Sequence, residues 1–470
     1  MQRDRFARFS SRGLSRRDVL RGAGVTAAGL ALGGRFKDGY AKVQTPPTRN
    51  IAGTQLKLLQ WEHFVPAHDE WFEGFVQEWG KANDVEVQLD RITTAEVPTS
   101  FAAEVAAGEG HDIVEHIASL GQFEPSLVDM TDLVQEAMTR HGEMSAITQR
   151  SGFNPTTNKY FSFVHGYAPD PGDYRKSLWE QAGLPNGPTT YQELLDGGSA
   201  IRNEQGIQLG VGMSNEIDSN MAAQALLWCF GASVQDANEN VTINSPETIA
   251  AVDYMKQLYE GAMTPEVFGW NAASNNQLLI AGQASYILNS ISAYRAAQEQ
   301  SPEIAEDIYF SAPLAGPTGI ALANGHAVYN AMIPTYSKNQ DTAKEFILHL
   351  VANYKTKTEQ SKLYDFAAFP SLTPELFAEG GWLDVDPYGS VPADKLAVLK
   401  AANEWTTNLG HPGPANAVMG SVFGEYVLPN MLARVARGEQ TAAESVTEAE
   451  AAINGFYETW AAAGLVGGGR

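Results

Sequence analysis

From residue 54 onward, apolar runs of strand length alternate with amphipathic stretches of helix length, and this rhythm constrains the chain more than any single motif. Leu56 to Trp61 is a short apolar run. Asp69 to Lys81 then sets Trp71, Phe72, Phe75, Val76 and Trp79 on one helical face, which assigns Trp71 and Trp79 to the core. Val85, Val87 and Leu89 alternate as in a strand, Thr99 to Ala107 reads as a helix stopped by Gly108, and Ile113-Val114 opens the next strand. Alternation of this kind predicts an α/β fold with right-handed crossovers and mostly parallel sheets flanked by helices. Ligands of such open sheets lie at the carboxyl ends of the strands. His63, beside Trp61 and Glu62, and Glu115, beside His116, are therefore binding candidates from the first half.

The rhythm is broken at Tyr160 to Arg202. The run Tyr160-Phe161-Ser162-Phe163-Val164 leads through Gly166, Pro169 and Pro171 into Asp173-Tyr174-Arg175-Lys176-Ser177-Leu178-Trp179 and a helix stopped by Gly183. Thr190 and Glu193 have the spacing of a capping box at the start of another helix. The stretch reads as a crossover between two compact units. The second unit repeats the pattern, with a strand at Ile207 to Gly212, a helix at Asn220 to Phe230 and a helix from Ser245-Pro246 to Gly261. Ser421 to Arg437 and Thr441 to Ala463 read as long Ala-rich helices ended by Gly438 and Gly464.

At 470 residues the chain exceeds one ordinary core. The net charge of −23 is unevenly placed: residues 1–41 hold nine Arg or Lys against three Asp, so the remainder carries −29. An acidic body of that size repels nucleic acid and anionic membrane. The basic leader has the form of an address: Ser15-Arg16-Arg17-Asp18-Val19-Leu20-Arg21 resembles the twin-arginine export motif, a short Gly/Ala-rich run follows, and Gly39-Tyr40-Ala41 offers a cleavage site. Residues 1–41 are thus expected to be a signal peptide and the mature protein to be periplasmic. The sole cysteine, Cys229, lies in Ala225-Leu226-Leu227-Trp228-Cys229-Phe230 and reads as a small buried hydrophobe.

Catalytic signatures fail. Gly316 to Gly325 lacks the Gly-Lys-Ser/Thr ending of a phosphate loop, and neither Gly-x-Ser-x-Gly nor His-Glu-x-x-His occurs. His63/His68 and His111/His116 are each five apart, a spacing that neither a helix face nor a usual zinc motif favours, so no metal and no cofactor is expected. Acid pairs such as Asp170 and Asp173 read as chance among 55 acids rather than as a glycosidase pair. The nine Trp and 17 Tyr suit an amphiphilic ligand such as a sugar, whose C–H faces stack on rings while its hydroxyls pair with carboxylates and amides.

Tyr174, Trp179, Ala182-Gly183-Leu184, Pro188, Thr190, Glu193 and Leu194 fill a pattern that resembles the extracellular solute-binding proteins of carbohydrate ABC transporters, the maltose-binding-protein-like family. The likeness continues in order through Gly282-Gln283-Ala284, Asn289-Ser290, Tyr294, Ala312-Pro313-Leu314, Ile333-Pro334 and Phe369-Pro370-Ser371. It implies a two-lobed periplasmic-binding-protein fold of type II, with lobe 1 formed by residues 50–165 plus 314–373, lobe 2 by 166–313 plus 374–466, and a hinge between them. It further implies a non-enzymatic monomer that closes around a mono- or oligosaccharide and delivers it to the permease subunits of an inner-membrane importer. Tyr294 and Asn416 are site candidates by the resemblance and Asn289 joins them from the second lobe, while Trp228 and Trp270 are chosen for aromatic surface expected beside turn residues. Other solutes, namely a polyamine, a polyol or ferric iron, and a secreted glycosidase remain the alternatives.

Overall fold

The computed structural model of the protein describes residues 46–468; the leader expected at 1–41 lies outside them. The first strand, β1 (Thr54–Trp61), follows its apolar run. Helix α1 (Pro66–Asn83) places proline in the first turn, where the missing amide is harmless, and buries His68, Phe72, Phe75, Val76 and Trp79. It ends where Asp84 takes a left-handed φ of 55° and closes a bond to Gly80. Then come β2 (Val85–Ile92), α2 (Val97–Ala107) and β3 (Ile113–His116), with β2 and β3 each parallel to β1.

The chain next runs through β4 (Phe163–Pro169), and two residues later begins β5 (Gly172–Arg175) in a different sheet. Helix α3 (Tyr191–Gln205) is capped by Thr190, whose hydroxyl accepts from Glu193 N at 3.1 Å. The expected box is only half closed, because the Glu193 carboxylate turns to Thr189 N at 2.8 Å. After it come β6 (Gln208–Gly210), α4 (Ile217–Cys229), α5 (Pro246–Ala262), β7 (Ala284–Leu288) and β8 (Ile308–Ser311). The smaller sheet has the order β8-β5-β7-β6.

A tight loop at 312–322, pinned by Gly316 N donating to Ile320 O and Gly319 N to Gly316 O, returns the chain to β9 (Ala323–Met332) in the larger sheet. There α6 (Gln340–Ala352) and β10 (Phe366–Ala367) follow, and β11 (Thr406–Thr407) pairs with the start of β9. The larger sheet reads β10-β4-β9-β3-β1-β2. The helices α7 (Ala417–Gly424), α8 (Val427–Ala436) and α9 (Ala442–Ala462) close the chain, α8 and α9 packing on α5.

The α/β class holds, and one detail of it needs correction. The expectation of mostly parallel sheets is met by β1, β2 and β3 and by the β6–β7 and β9–β11 pairs; β4 and β9 pair antiparallel with each other and with β10 and β3, and β5 pairs antiparallel with β7 and β8. The cause is the route. A strand that leaves one sheet for the other and a strand that comes back run in opposite directions, so the crossing strands lie antiparallel. Ser421 to Arg437 is not one helix either: Tyr426, at φ 52°, separates α7 from α8. Among the described residues no helix is long and apolar enough to cross a membrane.

Candidate ligand-binding site

The carboxyl ends of β1 and β3 do gather polar groups, and their carboxylates are satisfied within the group, leaving His165 Nδ1 and His68 Nε2 buried there without a partner. Glu115 Oε1 accepts from Trp61 Nε1 at 3.1 Å and Gln60 Nε2 at 3.3 Å, and Oε2 lies 2.7 Å from His165 Nε2. Burial acts to raise the Glu115 pKa, yet His165 and Lys357 outweigh it and the carboxyl titrates below its usual range. His63 Nδ1 accepts from Val65 N at 3.0 Å and its Nε2 lies 3.2 Å from Asp365 Oδ1. Asp365 is also bonded by Tyr329 Oη and Lys357 Nζ, and Lys357 stands 4.3 Å from the Tyr329 ring centre. Against the effect of burial, Lys357 and His63 hold Asp365 well below the usual carboxylate range.

His68, five residues from His63, stacks on it at 4.0 Å because α1 starts between them and turns its first buried face back under the loop. His63, His68 and Asp365 thereby bring one ligand atom each within 4.8 Å, which the spacing argument did not foresee. The rings are nearly parallel, 20° apart, so their in-plane lone pairs cannot converge on one ion, and the Lys357 ammonium already supplies the positive charge beside Asp365. The group is a buried ion-pair network.

A second cluster, where the two sheets meet, is built differently. Asp170 sits in the two-residue passage between β4 and β5, and Asp173 is the second residue of β5. Glu216 caps α4, accepting from Asp218 N at 2.7 Å and from Ser219, and Asp218 is in the first turn of that helix. His326, from β9, brings Nδ1 to 3.1 Å from Asp170 Oδ1 and Nε2 to 4.0 Å from Asp218 Oδ1. Tyr364 stands edge-on to His326 with ring centres 6.3 Å apart, and Phe64, from the end of β1, lies 5.9 Å from the same imidazole. Asn275 Nδ2 donates to Asp218 Oδ2 at 2.8 Å. Ser290 follows β7, and the neighbouring Asn289 N donates to Pro171 O at 3.3 Å.

What sets this cluster apart is incompleteness. Both oxygens of Asp173, Asp170 Oδ2, Asp218 Oδ1, Tyr364 Oη and Ser290 Oγ are buried without a hydrogen-bond partner. Each such group costs about 1–3 kcal/mol. Burial, helped by Asp170, pushes the Asp173 pKa well up; burial pushes Asp218 up to about 6 and, with the Asp218 charge, Glu216 up to about 8. For His326, burial alone would lower the pKa, and the Asp170, Asp218 and Glu216 carboxyls raise it. Phe64, which touches the cluster, also lines a neighbouring cavity of about 380 Å³ whose other walls include Glu70, Ser292, Arg295 and Lys362 and none of the unpaired groups. That volume lies within the range of small-molecule sites.

The sequence-chosen residues scatter around this cluster. His63 is one ring away from it, edge-on to Tyr364 at 5.2 Å. Asn289 lies at its border, bonded to Asn276 Oδ1 and Ser290 N. Glu115 belongs to the network already described. Trp228 does not offer the aromatic surface for which it was chosen: it is 5 % exposed and packs edge-on against His411 at 5.7 Å. Trp270 is half-buried, its carbonyl accepting from Ser214 Oγ at 2.9 Å. Tyr294 Oη bonds Ser390 at 2.8 Å and its ring packs edge-on at 5.5 Å against Phe310, the strand partner of Asp173. Asn416 is the N-cap of α7, and its amide donates to Gln235 and Glu239. Sequence reasoning missed Asp218, His326 and Tyr364, and dismissed Asp170 and Asp173 as chance. The one usable signal was that both aspartates fall in the crossover itself.

Two α/β sheets joined by repeated passes of the chain, with polar groups at the passes, define the fold of periplasmic binding proteins. The model of the bacterial extracellular solute-binding protein family matches residues 66–357, and the chain belongs to that family. The fold is similar to that of the maltose-bound MalE3 of T. maritima (TM-score 0.71, 18% identity, 85% of this chain and 99% of that one). It is equally similar to a sugar transporter protein of Arthrobacter chlorophenolicus A6 with bound laminaribiose (0.71, 18%, 85% and 99%). Curated relatives include a binding protein of Brucella abortus (strain 2308), 22% identical over 222 residues, 43% of this chain and 53% of that protein. Another is an ABC transporter-binding protein of Deinococcus radiodurans, 25% identical over 191 residues, 39% and 45% respectively. The chain thus spans about half the length of the curated relatives it matches.

Proposed function

We propose that the protein is exported to the periplasm, captures a small polyhydroxylated solute, a sugar or a polyol, by closing two lobes around it, and delivers it to the permease subunits of an ABC importer. The observation that carries this reading is the set of buried, unpaired acceptors and hydroxyls contributed by both sheets at one place, at Asp170, Asp173, Asp218, Ser290 and Tyr364. Acceptors of this kind are what a ring of hydroxyl donors replaces water on, and the Phe64 and Tyr364 faces suit the C–H side of such a ligand. The lobes are residues 50–165 plus 314–373 and 166–313 plus 374–466, the leader is a twin-arginine signal at 1–41, and the working form is a monomer. The carboxyls bind and do no chemistry, so turnover of aryl glycosides is expected to be nil. The bound sugars of the two similar structures support the ligand class.

The test is a calorimetric and thermal-shift panel on residues 42–470 with mono- and disaccharides, polyols, spermidine, amino acids and Fe(III). At least one polyhydroxylated compound should raise the midpoint and bind stoichiometrically. Binding of spermidine, an amino acid or iron alone, or product from an aryl glycoside, would overturn the reading.

A further inference from the structure

Four carboxyls, Asp170, Asp173, Glu216 and Asp218, meet at the passage between the sheets, each more than nine-tenths buried. Among the described residues, the one basic group within 4.0 Å of any of them is His326. The same molecule shows how it treats other buried carboxylates when the charge is compensated from within. Asp365 is set against Lys357 and His63, Glu115 against His165, and Asp386 against Arg295, while the buried Asp112, Glu124 and Glu239 are met by neutral donors that fill their oxygens. At the passage no lysine or arginine plays that part. An ammonium brings three N–H donors to the open acceptors together with a positive charge beside Asp170 and Asp218, which share the single imidazole of His326.

A second observation points the same way. Tyr364 Oη is fully buried and has no partner, and its ring stands edge-on, 6.3 Å away, to the His326 imidazole on which Asp170 and Asp218 converge. Ser290 Oγ is likewise unpaired. One end of the site is therefore charged and the rest is hydroxylic and aromatic. We infer that the ligand of this site is a polyhydroxylated molecule bearing a protonated amine, an amino sugar or aminated polyol, its ammonium held between Asp170 and Asp218 and its hydroxyls facing Ser290 and Tyr364. The inference rests on the reading that this cluster is the ligand site, and it names the class more narrowly.

Matched pairs on the mature protein test it: glucosamine against glucose, galactosamine against galactose, and 1-amino-1-deoxysorbitol against sorbitol, with N-acetylglucosamine as the uncharged amine derivative and spermidine as the amine without hydroxyls. At pH 7.5 and low salt, the amine of at least one pair should bind tenfold or more tightly than its neutral partner, and N-acetylation should abolish the gain. The groups facing the ammonium are Asp170, Asp173, Glu216, Asp218, His326 and Tyr364, with the Asp365–Lys357 pair behind. As pH falls toward 5 Asp218 takes up a proton and His326 keeps its own, so the ratio within the pair should shrink. Asp170→Asn and Asp218→Asn should shrink it at pH 7.5 as well, with circular dichroism and a cooperative thermal transition reporting that the variants are folded. If the neutral member of every pair binds as tightly as its amine, the inference fails and the polyhydroxylated reading stands. If spermidine binds more tightly than every amino sugar, or if no sugar or polyol binds at all, both fall.

Discussion

Asp218, proposed above as a ligand contact, also bears on the stability of the protein that carries it. Its carboxyl titrates near 6 in the fold because it is buried and lies close to Asp170, and it titrates near 4 in an unfolded chain. A carboxyl whose pKa rises on folding lets the native state keep a proton that the unfolded chain has lost, so stability declines as pH climbs from about 4 through 6. Asp218→Asn should therefore raise the unfolding free energy of the ligand-free protein at pH 8 by about 1–3 kcal/mol, read by denaturant titration, while weakening the ligand. His68 has the opposite sign. Burial, with His63 and Lys357, lowers its pKa far below the ordinary value, so its contribution is whole above about 6.5 and is lost as pH falls below it. Lys357→Met, which strands Asp365 in the interior, should cost about 3–5 kcal/mol, and Asp365→Asn in the same chain should recover much of the loss. At this scale the sequence said little. The five-residue spacing of His63 and His68, which favours neither a helix face nor a usual zinc motif, did not foretell their stacking, and Trp228 is buried where exposed aromatic surface was expected. Unpaired polar atoms are a property of neighbours, which a single chain position does not announce.

Elements were far more legible than side chains, because period and punctuation are local. The strands and helices through Ile113 fall where the apolar patterns put them. The misreadings sit at junctions. Tyr426 interrupts the last helices with a left-handed residue that carries no glycine signal, and Glu193 bonds one residue earlier than a full box requires. Two substitutions exploit such junctions. Asp84 is exposed and left-handed at the end of α1, so Asp84→Gly should stabilise by about 0.5–1 kcal/mol, seen as a modest rise in the melting midpoint. Gly316 lies against the end of α4, where an added Cβ would stand 1.8 Å from the Cys229 carbonyl oxygen. Gly316→Ala must push that helix end and the 312–322 passage apart, and should cost more than about 2 kcal/mol by calorimetry while leaving helix content by circular dichroism nearly unchanged.

On the scale of the whole molecule, the alternation of elements gave the class and the ordered run of motifs gave the family. The antiparallel pairing of the crossing strands stayed hidden because it depends on which sheet each strand joins. If closure around a ligand is how the molecule works, a saturating ligand should lower the radius of gyration in solution scattering. It should also add about 2.7 kcal/mol at a hundredfold excess over Kd, a midpoint shift of several degrees at most for a chain this long.

The passages between the sheets have a further consequence for the integrity of the chain. Because β4 leads directly into β5 and the 312–322 loop leads back into β9, the smaller sheet is inserted as one continuous stretch, 172–311, into the larger sheet, whose strands lie on both sides of it in sequence. No single scission yields two self-sufficient halves. A protease nick in the 312–322 loop leaves each fragment holding strands that the other needs, so the two pieces stay interlocked, and fragments made separately should find each other and rebuild one molecule by complementation.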